Sequence, residues 1–94
     1  MLEGIEENLG IIKLIYKNAS EERRKHIKDW LEGIVLDKDE GDGYLGIKFD
    51  GENITATDEE TDEEINLEDL KENELWQLAG YLEDLLEELR KGEY

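Results

Sequence analysis

The 94-residue chain has no cysteine and no proline, and it has one serine, one histidine, one phenylalanine and one methionine. Without cysteine there is no disulfide, no thiolate nucleophile and no zinc–cysteine site, which fits a reducing compartment and hence a cytoplasmic location. The only serine, Ser20, stands directly before Glu21 and Glu22. It reads as a helix N-cap rather than a nucleophile. His26 has no second histidine or orienting constellation beside it and reads as a surface helix residue rather than a catalyst or ligand. No glycine-rich phosphate loop occurs. The longest apolar cluster, residues 11–16, is far short of the roughly 18 residues a membrane span needs. The acidic opening MLEGIEENLG does not read as a secretory signal. With no proline and no repeats, a flexible two-part chain is not expected. The 28 Asp and Glu make pairs of carboxylates so common that no acid and base stand out. No catalytic residue, cofactor or metal is expected, and the chain is expected not to be an enzyme.

What the chain has in excess is negative charge, placed unevenly. Residues 38–94 hold twenty Asp and Glu against five Lys and Arg, and residues 1–37 hold eight against six, about −15 against −2 within a net −17. Self-repulsion on this scale costs the compact state stability, and salt should restore some of it. With 37% hydrophobic residues arranged periodically, folding is still expected, and the length limits it to one small domain over residues 1–94. The one basic cluster, residues 23–28, lies in a field that would repel phosphates, so direct nucleic-acid binding is not expected. Its cations are expected to pair with Glu21, Glu22, Asp29 and acidic residues of the C-terminal half, or with those of a dimer mate.

Periodicity predicts an α+β fold: two N-terminal helices, a three- to four-stranded antiparallel β-meander and a long amphipathic C-terminal helix packed on it. Leu2, Ile5, Leu9, Ile12 and Tyr16 mark the first helix, while Ile11, Leu14 and Ile15 project from other sides. A second helix follows Ser20, with Ile27, Trp30 and Leu31 facing the core and Gly33 as its stop. Strands are predicted at residues 44–49 and 54–57 around an Asp50-Gly51 turn and at 64–67, with 34–37, before a Gly41–Gly43 turn, as the optional fourth. Residues 37–48 begin like a calcium loop. The sixth position, however, is Asp42 instead of glycine and the twelfth is Lys48 instead of glutamate, so the segment reads as an acidic hairpin turn. Leu75, Leu78, Leu82, Leu85 and Leu89 stripe a helix over residues 71–90. Two heptads are few for a coiled coil, so the stripe reads as a core face. Trp76 lies off that stripe near Gly80, Glu83 and Glu87, either as an interface anchor or on the edge of the core.

The densest acidic run, residues 58–64, is expected at a hairpin tip. Residues 55–65 resemble a stretch of the uracil-DNA glycosylase inhibitor family, small phage proteins whose acidic surface imitates DNA. The rest of the chain departs from that family, ending in a leucine-striped helix where the family continues in strands, so none of the family's contact residues carries over. The expected partner surface joins Asp58, Glu59, Glu60, Asp62, Glu63 and Glu64 to Glu83, Asp84, Glu87 and Glu88 of the last helix, with Trp76 as anchor. The function expected from it is a non-enzymatic acidic binding module, a nucleic-acid mimic that inhibits a basic DNA- or RNA-handling protein in the manner of anti-restriction or anti-CRISPR proteins. The alternative is a small oligomeric scaffold or adaptor, a homodimer held through helix one and the C-terminal leucines.

Overall fold

At 3.6 residues per turn Ile5, Leu9 and Ile12 share one side of a helix, and in the computed structural model, which describes residues 2–92, they are the buried side of α1 (Leu2–Lys17). Tyr16 continues that side and sets its ring edge-on to Phe49, 5.0 Å between centroids. The helix ends where Arg24 donates from Nε to Tyr16 O (2.9 Å) and from Nη2 to Lys17 O (2.6 Å). A guanidinium there satisfies carbonyls that the ended helix leaves open and meets the negative end of its dipole. Ser20 caps α2 (Glu21–Glu32), its Oγ accepting from Arg23 N at 3.2 Å. Gly33 stops α2 with ordinary right-handed φ of −86°, so room is what selects glycine: a Cβ would stand 3.3 Å from Asp29 O.

Four antiparallel strands follow in the order β1-β2-β3-β4: β1 (Val35–Asp37), β2 (Tyr44–Phe49), β3 (Ile54–Asp58) and β4 (Glu64–Ile65). Asp50 forms the β2–β3 turn, its Oδ1 accepting from Glu52 N (2.9 Å) and Asn53 N (2.7 Å) while Gly51 takes φ of +101°. The fourth strand is shorter than the predicted 64–67. Leu67 leaves the sheet for a single 3-10 turn, Leu67–Asp69, that leads into α3 (Glu72–Arg90).

Strand alternation divides the sheet into two faces. Leu36, Leu45, Ile47, Phe49, Ile54 and Ala56 point inward and are buried with Ile27 and Leu31 of α2 and Leu78, Leu82 and Leu85 of α3. The leucine stripe is thus core, leaving no seam for a coiled coil. Trp30 is half-buried and closes the core's edge against Tyr81, 6.4 Å away and edge-on. The outward face carries Val35, Tyr44 and Lys48, and these are exposed.

Two polar side chains fix α3 along the sheet edge. Gln77 donates from Nε2 to Asp37 O (3.0 Å) and accepts at Oε1 from Asp37 N (2.9 Å), pairing with the backbone of edge strand β1 as another strand would. Glu74, one of two buried polar residues among those described, accepts from Lys71 N at Oε1 (2.8 Å) and from Asp39 N at Oε2 (3.1 Å). It closes the first turn of its own helix and grips the β1–β2 turn at once. Replacing Glu74 by Ala is expected to lower unfolding free energy by about 1–3 kcal/mol in urea titration, since two backbone donors lose a charged acceptor. Glu72→Ala, an exposed control two residues earlier in the same turn, is expected to cost about 0.5 kcal/mol.

Candidate functional site

In an antiparallel meander the first and third turns lie at one end of the sheet and the second at the other. The β1–β2 and β3–β4 turns are therefore neighbours, tied by an ion pair of 2.6 Å between Lys38 Nζ and Asp58 Oδ2. Residues 37–43 bring four carboxylates to this end and residues 58–64 bring six, against Lys38 as the one cation of both segments. The acidic end is thus built from two loops. The contribution of Asp39, Glu40 and Asp42 was implicit in the meander but invisible in the 58–64 run considered alone.

Asp58 differs from the carboxylates around it. Its Oδ1 accepts from Glu60 N (2.9 Å) and Thr61 N (3.4 Å), its other oxygen holds Lys38, and its side chain is 14% exposed. The hydrogen bond from Lys38, then the N–H of Glu60, hold its carboxyl below the ordinary 3.8, and the same bond holds the Lys38 ammonium above 10.5. Asp58 and Lys38 build the turn, whereas Glu59, Glu60, Asp62, Glu63 and Glu64 are exposed on it. Asp62 takes φ of +61°, a left-handed conformation that Asp tolerates better than most residues.

The helix contributes differently from what its sequence suggests. Its N-terminal end lies at the acidic loops, through Glu74 and Asp39, and its C-terminal end lies at α2, where Arg23 Nη2 donates to Leu89 O at 3.1 Å. At 1.5 Å per residue Glu83 and Glu87 stand about 14 and 20 Å along the axis from Glu74, so with Asp84 they form an exposed stripe leading away from the loops rather than one patch with them. Glu88 turns aside towards α2, half-buried, with Oε1 3.6 Å from His26 Nε2. Trp76 is 67% exposed, so it is not packed on the core's edge, and it belongs to the half of α3 nearest the acidic loops.

The basic cluster is used in part as expected. Lys25 pairs with Asp29 (2.6 Å) and His26 lies beside Glu88, but Arg23 and Arg24 bind the terminal carbonyls of α3 and α1. Arg24 also joins Lys13, Lys17 and Tyr16 around a cleft of about 540 Å3 at the β2–β3 turn, the end of the sheet opposite the acidic loops. Among the described residues no group of three or more His, Asp or Glu converges to hold a metal ion, and no helix is long and apolar enough to cross a membrane. Comparison with protein families, with curated proteins and with solved structures gives no match for the chain.

The Lys38–Asp58 pair has a definite pH signature. Because the folded state depresses Asp58's pKa, the stability it adds is complete above the ordinary carboxylate value and is lost as pH falls through the lower folded value; for Lys38, raised when folded, the loss comes only at alkaline pH above 10.5. Urea titrations from about pH 7 to about pH 2 are expected to show wild type more stable than Asp58→Asn at neutral pH, with the two converging at the acid end. A gap that stays constant to the acid limit would contradict the assignment.

Proposed function

We propose that the chain is a non-enzymatic acidic binding module that occupies the basic, nucleic-acid-binding surface of a partner protein and so inhibits it. The observation that carries this proposal is the two-loop acidic end, where ten carboxylates gather about a single lysine that is itself committed to Asp58. A duplex carries one charge per about 1.7 Å of axis, and a protein groove built for that density gains from releasing counterions when a comparable array replaces it. The α3 stripe of Glu83, Asp84 and Glu87 extends the array, and exposed Trp76 adds an apolar contact beside it. A cytoplasmic inhibitor encoded by a phage against a host DNA-handling defence suits this description.

Captured from its source cells, a basic partner of this kind should bind with an affinity that falls at least tenfold between about 0.05 and 0.2 M salt. Reversal of Glu60, Asp62 and Glu63 together to Lys should weaken binding at least tenfold at low salt, chiefly through a slower association rate. Affinity indifferent to salt would sink the proposal.

One observation favours the scaffold alternative. Ile11 and Leu14 are exposed three residues apart on α1, an apolar pair that a second copy could cover. Light scattering from about 10 μM to about 1 mM is expected to give a mass that rises with concentration if they are an interface, and Leu14→Lys should abolish the rise. A constant monomer mass removes this alternative.

A further inference from the structure

The outward face of the sheet holds a feature that charge display does not require. Thr57 is 6% exposed, although it points to the face without helices, and its Oγ1 is shut off from solvent with no hydrogen-bond partner among the described residues. Buried hydroxyls are nearly always satisfied, so one left unpaired beneath exposed, charged side chains marks a place where a donor or acceptor can arrive once they part. The register sets Gly46 on one side of Thr57 and Glu64 on the other. Over Gly46 lies the carboxylate of Glu59, in space that any Cβ would occupy. Two residues along β2, and about 7 Å away, is Tyr44, which is 54% exposed and opposite Glu59, whose N–H donates to Tyr44 O at 3.1 Å.

We infer that this face is a docking site for an arginine side chain of the basic partner, which rests on the function proposed above and names the contact that anchors it. The Glu59 carboxylate on one side and Glu64 in register on the other flank an acceptor hydroxyl, and an aromatic residue lies along the strand. With the exposed Glu59 side chain swung outward, a guanidinium set on edge over Thr57 turns its two flanks to Glu59 and Glu64, its edge to Oγ1 and its plane to the Tyr44 ring. Its planar fork supplies donors in all three directions at once. A lysine ammonium is a point charge and gains mainly from the carboxylates. Val35, 49% exposed beside Gly46 in the register, offers apolar surface for the arginine's methylene stem.

The test uses nona-arginine and nona-lysine peptides with the whole chain, followed by calorimetry and by amide chemical shifts. Nona-arginine is expected to bind more tightly than nona-lysine and to shift the amides of Gly46, Thr57 and Glu64. Thr57→Val, which keeps the volume, should weaken nona-arginine about tenfold, the loss expected for one hydrogen bond to a charged donor, and leave nona-lysine nearly unchanged. Glu59→Gln is a second variant on an exposed side chain, expected to weaken both peptides. An unchanged thermal midpoint establishes that each variant is folded. Equal binding of the two peptides, or shifts confined to residues 60–63, overturns the arginine site while leaving the acidic module standing. Failure of both peptides to bind at low salt overturns both.

Discussion

Twenty-eight carboxylates on 94 residues repel one another more strongly in the folded protein than in the expanded chain, so the core must outweigh a cost that most domains of this size do not carry. Leu78, Leu82, Leu85, Leu86 and Leu89 of α3 supply much of that core, each almost wholly removed from water. Every other feature depends on α3 lying where this stripe is covered. The sheet provides one wall, α1 and α2 the others, and Gln77 and Glu74 set the position of the helix along β1 through hydrogen bonds to Asp37 and Asp39. Because Glu74 is itself a carboxylate held by two backbone donors, one negative charge is turned from a burden into a fastening.

With that core in place, chain topology sorts the remaining charge. An antiparallel meander puts residues 38–43 and 59–63 at the same end and the Asp50 turn at the other. Cations are scarce, and several serve the framework: Arg23 and Arg24 close the carbonyl ends of α3 and α1, and Lys38 joins the two acidic turns. Lys13 and Lys17 stand with Arg24 at the far end. The two most densely acidic loops therefore have little cationic charge of their own, and their field is directed outward instead of being neutralised locally.

Helices and strands were legible in the sequence because each repeats its apolar residues at its own period, and Ser20, Asp50 and Gly51 punctuate them with side-chain chemistry that works over a few residues. The candidate site was legible only as composition. The 58–64 run announced an acidic turn, but nothing local separates Asp58, which builds it, from Glu60 or Glu63, which it displays. That distinction comes from Lys38, twenty residues away. Gln77 and Glu74 meet β1 and its turn at separations of 40 and 35 residues, and Glu88 faces α2 because of how α3 is rotated in the core. Helical periodicity put Trp76 off the leucine stripe, but whether a neighbouring element covered that side depended on the packing of the sheet. The outward alternation of Tyr44, Gly46 and Lys48 was present in the pattern. What the pattern lacked was the knowledge that no helix would cover that face.

A field of carboxylates and a fixed face perform different work on a partner. Charge on mobile, exposed side chains speeds encounter and tolerates many orientations, so the acidic loops alone would hold a basic groove loosely and in no single register. Fixing a register requires groups whose positions are set by the backbone. The outward face meets that requirement: Gly46 and Thr57 are paired in the centre of the sheet, Tyr44 is held opposite Glu59, and Val35 lies on the strand that Gln77 fastens. Trp76, on a helix surface one turn in from the acidic loops, has no such rigid surround. If the protein selects one basic partner among many, the sheet face rather than the charge is where that selection has the means to occur, because there an unpaired hydrogen-bonding group and an aromatic ring occupy backbone-fixed positions beside the carboxylates.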